Sequence, residues 1–245
     1  MSSNMYAGAC TWNPFVGCLH QCVYCKVSFQ RQIKRWAKRN CAKCYSYVPH
    51  NHPERLKQVP SSPIVFVCGD GDIAFCDAEF LKLITSRLEE HSRRRPGRTY
   101  YLQSKDWRLA GRVVPLIENV KGAVILETLE TNRDEGYSLI SKAPPPTVRH
   151  KDFLKISYPR KAITAEPLLD FDVEEFYEMI VKAEPEFVWI GYNSKAVRLP
   201  EPSLEKTAKL IGLLRRGRSR QKPQGLKPSY RRLGLNGRRV KALGT

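Results

Sequence analysis

The sequence contains no apolar run approaching the roughly 20 residues that a helix needs to cross a bilayer. Its first 15 residues, MSSNMYAGACTWNPF, also lack a basic segment followed by an apolar stretch, the pattern of a secretory signal. We therefore expect a cytoplasmic protein with no membrane partner. Hydrophobic residues make up 42% of the 245-residue chain, enough to build a folded core.

Acidic residues are absent from the last 40 positions, 206–245, which hold 13 lysines and arginines. Of the formal charge of +18, residues 1–205 carry only +5, from 29 basic and 24 acidic residues. The segment from Arg215 to Thr245 mixes Gly, Pro and Ser with paired arginines. This composition predicts a flexible basic C-terminal arm, whose charge suits a nucleic-acid partner such as tRNA or DNA.

The cysteines are spaced for metal chemistry. In a reducing compartment, closely spaced thiols indicate metal or redox sites rather than disulfides. Cys18, Cys22 and Cys25 fall within eight positions of one short stretch. Three thiolates can hold three irons of a [4Fe–4S] cluster and leave the fourth iron open, as a catalytic site requires. A zinc site with Cys41 or Cys44 as fourth ligand explains the thiol count equally well.

Short apolar runs alternate with amphipathic patterns along the body of the chain. The runs begin at Ile64, Thr99, Ala123, Lys161 and Phe187, with a further strand near YAGACTW. Helical stripes begin at Asp77 and Asp172. Continuous apolar runs suit parallel strands that are covered on both faces. The pattern predicts an α/β fold of about six β/α units, with a parallel sheet that is open or curled towards a barrel.

Polar residues follow each predicted strand, and binding sites in such folds form at the carboxyl ends of the strands. The cysteine loop follows the first strand. The residues after the other five are Asp70, Asp72, Ser104, Lys105, Glu127, Thr131, Asn132, Glu166, Asn193 and Ser194. We expect one polar rim to gather around the three thiols.

The order C-x3-C-x2-C, with Tyr24 directly before the last cysteine, closely resembles the motif of the radical S-adenosylmethionine (SAM) superfamily. More narrowly, the segments TWNPFVGC, VPHNHPERL, GDGDIAF, TAEPLL and WIGYNS look like a radical-SAM-like family of phage and archaeal proteins whose substrate is undefined. The resemblance spans roughly residues 10 to 195. It differs from that family at Lys26, which stands where members often carry Tyr.

The resemblance implies a partial (β/α)6 TIM-like barrel in which Cys18, Cys22 and Cys25 ligate a [4Fe–4S] cluster. It implies that SAM chelates the open iron and is cleaved reductively to a 5′-deoxyadenosyl radical. An electron donor such as ferredoxin or flavodoxin would then be needed. By position, Asp70 or Asp72 would contact the methionyl amine. The other cofactor-binding candidates are Tyr24, Glu127, Thr131, Asn132, Glu166, Gly191, Asn193 and Ser194; the catalytic residues are not identified.

A second group, Cys41, Cys44, His50 and His52, offers the two thiols and two imidazoles of a tetrahedral zinc site. The spacing C-x2-C-x5-H-x-H is not a standard finger, and ordinary loop histidines are the alternative. Between the groups, residues 26–40 contain six basic residues and no acid. A solvated helix face accounts for this charge, although it would also suit a phosphate backbone.

Three function hypotheses follow. The first is a radical SAM enzyme acting on a nucleic acid or nucleotide. The second is a zinc-stabilised nucleic-acid-binding protein without catalysis. The third keeps the cluster but uses it for electron transfer or sensing. For the first, we divide the chain into a radical-SAM-like partial barrel, residues 1–205, with a Cys/His-containing insertion at about 26–60, and a C-terminal helix end and basic arm, residues 206–245.

Overall fold

A computed structural model describes residues 8–27, 29–37, 40–194 and 197–220 of the chain. Six parallel strands form its main sheet. They lie in the order β1, β4, β5, β6, β7, β8, and each pairs in parallel with its neighbour. Their bounds are Ala9–Trp12 (β1), Ile64–Val67 (β4), Thr99–Ser104 (β5), Ala123–Thr128 (β6), Lys161–Ala165 (β7) and Val188–Ile190 (β8). The six predicted strands are confirmed.

Helices alternate with these strands. The α-helices are Val23–Lys26 (α1), Phe29–Ala37 (α2), Ala42–Ser46 (α3), Ala78–Arg94 (α4), Trp107–Ala110 (α5), Pro146–Leu154 (α6), Val173–Lys182 (α7) and Leu204–Arg220 (α8). Short 3-10 helices cover Pro53–Lys57, Ile73–Phe75, Gly111–Leu116 and Tyr137–Leu139. A separate antiparallel pair joins Phe15–Val16 (β2) to His50–Asn51 (β3). None of the described helices is long and apolar enough to cross a membrane.

The strand order distinguishes between two ways of building a parallel α/β sheet. A doubly wound sheet reverses its order part-way across. Here each strand of the main sheet lies beside the next one along the chain, from β1 to β8. This order is consistent with a partial TIM-like barrel. All six strands therefore end on the same edge, where α/β barrels form their sites.

The sheet is buried on both faces. On one face, strand residues such as Val65, Leu102 and Ile125 pack beneath helices α4 and α7 in the main core. On the other face, smaller clusters contain Phe66, Val124, Leu126, Ala162 and Trp189. Fully burying one such side chain contributes about 1.5–3 kcal/mol. Burial on both sides explains why the strands read as continuous apolar runs.

The prediction of a flexible arm beginning at Arg215 is wrong for its first six residues. Helix α8 continues to Arg220, and its residues Leu210, Ile211, Leu213 and Leu214 belong to or pack against the main core. Once these side chains anchor a helix, adding further residues costs little free energy, because each one gains a backbone hydrogen bond. Basic residues near the carboxyl end are also stabilised by the helix dipole. Residues 221–245 of the predicted arm lie outside the described residues.

Candidate functional site

The thiol loop begins at Gly17, immediately after β2, so a short strand separates it from β1. Gly17 is bound to the loop that follows β4. Its N–H donates to the Asp70 carbonyl at 3.1 Å, and its own carbonyl accepts from the Asp72 N–H at 3.2 Å. Gly17 has φ +105°, and a Cβ there would lie 2.4 Å from the Val48 carbonyl oxygen. The loop therefore starts at a point where only glycine fits.

The three cysteines extend from this loop into α1, and they differ in burial. Cys22 is buried and precedes α1, and its Sγ is 3.1 Å from Ser141 Oγ. Cys18 and Cys25 are half-buried. The Cys18 sulfur accepts a bond from the His20 N–H at 3.4 Å. In the described chain the three sulfurs do not converge on one ion-sized point; instead, the donor atoms of Cys18, His20 and Asp72 lie within 4.8 Å of one another.

The electrostatics of the thiols favour one thiolate rather than three. A hydrogen bond from Cys25 lowers the pKa of Cys22, against the effect of burial. That same bond, followed by burial, raises the pKa of Cys25, and burial raises the pKa of Cys18. Three adjacent thiolates would need additional positive charge. A cluster that shares its charge among several irons meets that need, and its ligands are spread over separate irons.

Asp72, which was predicted for the polar rim around the thiols, is buried at the junction of three elements. Its carboxylate accepts from Ser104 Oγ at 2.6 Å and from the Lys105 and Ala74 N–H groups at 3.0 Å each. His20 Nε2 lies 3.3 Å from its Oδ2. Burial alone would raise the pKa of Asp72, but the adjacent His20 ring and the hydrogen bonds from Ser104 and the Lys105 N–H hold it below the usual value. Asp72 therefore orders the strand ends beside Cys18.

Asp70, two residues earlier, is half-buried, and burial raises its pKa. Its backbone forms hydrogen bonds on both sides: the N–H donates to Asn13 Oδ1 at 2.9 Å, and the carbonyl accepts from the Gly17 N–H. Of the two carboxyl groups, Asp72 has the closer connection to the thiol loop.

A buried ionic cluster adjoins the thiols, and Glu130 is at its centre. Glu130 is fully buried and forms ion pairs with Lys105 and Arg149. The Tyr24 hydroxyl donates to its Oε1 at 2.7 Å, and the Tyr137 hydroxyl does so at 3.2 Å. The Lys105 Nζ lies 5.3 Å from the centroid of the Tyr24 ring. The predicted residue Tyr24 is thus joined to two cations through one carboxylate.

Lys105 connects this cluster to the thiols. Burial lowers the pKa of Lys105 to about 8, while the negative charge of Cys22 acts in the opposite direction. Lys105 was expected at a strand end, and Tyr24 by resemblance. Glu130, Arg149, Tyr137 and His20 were missed. The available signal was the position of Glu130 just past the end of β6, the same stretch as Thr131 and Asn132.

Three predicted residues at or just past the end of β6 have other partners. Glu127 lies on the helix-packed face of β6, two residues from Ile125, and is 2.8 Å from His150 Nδ1 on α6. Thr131 Oγ1 donates to the Asp170 carbonyl at 2.7 Å. Asn132 Oδ1 accepts from the Asp172 N–H at 2.9 Å, at the start of α7. The structure does not bring these side chains to the thiols.

The remaining candidates lie after β7 and β8. Glu166 Oε2 accepts from Trp189 Nε1 at 2.6 Å, and a Cβ on Gly191 would lie 2.8 Å from the Glu166 carboxyl carbon. Asn193 Nδ2 donates to the Val197 carbonyl at 2.6 Å, and Ser194 is exposed. Glu166 and Gly191 are therefore in close contact, at the opposite end of the sheet order from β1.

The second Cys/His group converges on a single point. The donor atoms of Cys41, Cys44, His50 and His52 lie within 4.8 Å of one another. His50 Nε2 is 3.3 Å from Cys44 Sγ, 3.5 Å from Cys41 Sγ and 2.8 Å from His52 Nε2. His52 Nε2 is 3.1 Å from Cys44 Sγ. Four donors this close are arranged to hold one ion.

No family model and no curated protein sequence matches the chain. Among solved structures, the chain resembles SuiB from Streptococcus suis, in the structure bound to S-adenosylmethionine, with a TM-score of 0.54 and 12% identity. SuiB alone and SuiB bound to its precursor peptide SuiA give TM-scores of 0.56 and 0.54, also at 12% identity. The similarity covers 86% of this chain and 46–48% of SuiB.

The chain therefore shares its fold with part of SuiB. The α/β fold that the sequence resemblance implies is confirmed by this similarity. The chain spans about half the length of the SuiB structures that it matches.

Proposed function

We propose that this protein holds a [4Fe–4S] cluster through Cys18, Cys22 and Cys25 and binds S-adenosylmethionine at the open iron. The observation that carries the proposal is the placement of three thiols at the carboxyl edge of a parallel sheet shared with a SAM-bound protein. When bound, cluster and SAM supply a reductive cleavage to methionine and a 5′-deoxyadenosyl radical, with electrons from a donor such as ferredoxin or flavodoxin.

The chain's own residues hold the thiols in place. Ser141 contacts the Cys22 sulfur, and the Tyr24 hydroxyl attaches α1, which carries Cys25, to the buried Glu130. The Lys105 ammonium adds positive charge beside the thiols, which favours their ionised form. Asp72 connects the ends of β4 and β5 to His20, two residues beyond Cys18. The buried surroundings also limit the access of water, and excluding competing reactions is one of the things that a protein supplies to cofactor chemistry.

We propose a nucleic acid or nucleotide as the substrate. The support is electrostatic: the formal charge is +18, and 13 basic residues lie in positions 206–245 without an acid. Such a segment attracts phosphate backbones and raises the rate of encounter with them. Cleaving SAM and binding nucleic acid are separate parts of the proposal and are tested separately.

Anaerobic purification followed by iron, sulfide and 5′-deoxyadenosine measurements tests the cofactor assignment. The reduced protein should form 5′-deoxyadenosine from SAM, and adding tRNA or DNA should change the rate if nucleic acid is the substrate. Cys22→Ala should abolish both iron binding and SAM cleavage, because a three-thiolate site then leaves a second iron unanchored. Cys10→Ser, at an exposed thiol on β1, is the matched control. Full iron and activity in the Cys22→Ala protein would refute the assignment.

The alternative function is a zinc-stabilised nucleic-acid-binding protein without catalysis. The convergence of Cys41, Cys44, His50 and His52 favours a bound ion in either case. The two functions differ at the thiol loop. A colourless protein that contains zinc but neither iron nor sulfide after anaerobic reconstitution, and that forms no 5′-deoxyadenosine, would support the alternative.

A further inference from the structure

We propose that Cys41, Cys44, His50 and His52 form a structural zinc site that supports the first part of the thiol loop. This site is separate from the three thiols, and the inference does not depend on SAM chemistry. All four positions of a tetrahedron would be filled by protein atoms, the arrangement of structural rather than catalytic zinc. Three of the four residues are buried, and Cys41 is half-buried.

The hydrogen bonds of the histidines define which ring nitrogen is available. His50 Nδ1 is 2.8 Å from the Val48 carbonyl, which can only accept, so this nitrogen carries the proton. His52 Nδ1 is 2.7 Å from Glu54 Oε1 and likewise donates. In each neutral ring, Nε2 is then left with a lone pair. Zinc-binding histidines commonly have a carbonyl or carboxylate on the second nitrogen, as here.

The two imidazoles therefore meet through unprotonated nitrogens. The two Nε2 atoms face each other at 2.8 Å, and the nearest sulfurs lie 3.1–3.5 Å away. The two nitrogen lone pairs repel at this distance, and neutral thiols have only weak S–H donors to offer them. A divalent ion between them converts the repulsion into four bonds. The alternative is one protonated imidazole paired with a thiolate, which needs no metal.

The backbone around the thiols prepares them for an ion. Cys41 precedes α3, and its sulfur accepts from the Cys44 N–H at 3.4 Å. Tyr47 then ends the helix with φ +56°, a left-handed residue that turns the chain back towards β3. This turn brings His50 and His52 over the two cysteines. Because His50 and His52 are two residues apart in an extended segment, their imidazoles lie on the same face of it.

The apolar core around this group is small, so a bound metal would add stability that apolar burial does not supply. Its buried members are Val16, Ile33, Cys44 and Tyr47, with Cys18 and Cys41 packed against them. In the described part of the chain, four buried side chains offer an insertion of about 35 residues little apolar burial, and small units of this kind commonly rely on a metal or disulfides. The site also reaches the thiol loop directly. β3 pairs Val16 with His50, and the His52 N–H donates to the Pro14 carbonyl at 2.6 Å.

Metal analysis of the full chain, purified without chelators, tests the proposal. We expect about one zinc ion per chain, and X-ray absorption should show two sulfurs at about 2.3 Å and two nitrogens at about 2.0–2.1 Å. Cys44→Ala should lose the zinc, whereas Cys22→Ala should lose iron and keep the zinc. His52→Cys should retain the zinc, since thiolate can replace imidazole as a ligand. Cys10→Ser is the control.

Three outcomes would overturn the inference. The first is full-length protein that binds neither zinc nor Co²⁺ with the visible spectrum of a tetrahedral site; this would leave the protonated imidazole as the explanation. The second is a zinc shell of three or more sulfurs, or zinc lost on Cys22→Ala and kept on Cys44→Ala, which would place the ion at the thiol loop. The third is iron in place of zinc in this group. The absorption measurement uses the unmodified chain, so misfolding of a variant does not affect it.

Discussion

The Tyr24 hydroxyl donates a 2.7 Å hydrogen bond to Glu130 Oε1, linking the helix that bears Cys25 to a residue 106 positions away. Glu130 is fully buried, so this bond is formed out of contact with water. The aromatic residue before the last cysteine is therefore an anchor for the thiol loop. It also lies beside Lys105, which connects the same carboxylate to the thiols.

Tyr24→Phe should weaken the thiol loop while keeping its packing. The variant loses a hydrogen bond to a charged group, which contributes about 1.5–3 kcal/mol to the free energy of unfolding. We expect that loss in anaerobic urea titrations, together with less iron retained per chain. Tyr45→Phe, at a half-exposed tyrosine on α3, is the control. Unchanged stability and iron content in Tyr24→Phe would show that the bond is not an anchor.

Glu130→Gln should be more damaging than any exposed glutamate substitution. It leaves Lys105 and Arg149 buried without their counter-charge, and breaking a buried ion pair in this way costs about 3–5 kcal/mol. The measurement is chemical denaturation, compared with Glu135→Gln at an exposed position. A loss no larger than that of the control would mean that water or another group compensates the two cations.

Asp72→Asn should lower stability, and the difference should depend on pH. Folding lowers the pKa of Asp72, so its stabilisation is present above the unfolded value of about 3.9 and is lost as the pH falls through the folded value. At pH 7 we expect a loss of about 1.5–3 kcal/mol, since charge-assisted hydrogen bonds are removed. The difference between wild type and variant should begin to shrink below the unfolded pKa and should vanish only below the folded pKa.

The pH series should be measured by urea denaturation of metal-free protein, so that cluster loss does not contribute. Glu79→Gln, at an exposed surface pair on α4, is the control and should track wild type. A difference between Asp72→Asn and wild type that stays constant down to acidic pH would contradict the assigned shift.

Deleting residues 221–245 should weaken nucleic-acid binding without affecting the cluster. The deletion leaves α8 intact but removes 7 of the 13 basic residues in positions 206–245. Each lost phosphate contact should reduce the salt slope on duplex DNA by about 0.9. Iron content and SAM cleavage without nucleic acid should match the full chain. Equal affinity and salt slope would remove the main support for a nucleic-acid substrate.

The residue pattern alone predicted the strands correctly, because an apolar run such as Ile64–Val67 has few alternatives to burial on both faces. It also singled out both cysteine groups, because thiol spacing within one loop is a local property. The structure brings the donor atoms of the second group within 4.8 Å of one another, whereas cluster ligation by the first group stays a prediction. The start of α4 was predictable for the same reason. Asp77 caps this helix through a local contact, in which its carboxylate accepts from the Phe80 N–H three residues on.

Long-range partners could not be predicted in this way. Glu127 and Glu130 are three residues apart and chemically identical, yet the first pairs with His150 under a helix and the second with Lys105 beside the thiols. The difference arises from the strand pleat and from where β6 ends. Asp72 is similar: its partners Ser104 and the Lys105 N–H lie more than 30 residues along the chain and reach it only in the folded sheet.

The sequence by itself determined the α/β alternation, the three-thiol loop and the Cys/His group, since each depends on spacing within a few residues. Only the tertiary structure decided which carboxylate faces the thiols, and that His50 and His52 converge with Cys41 and Cys44 on one point. The physical reason is that burial and charge pairing depend on distances between atoms. Residues such as Tyr24 and Glu130, or Val16 and His50, come within those distances only after the sheet has formed.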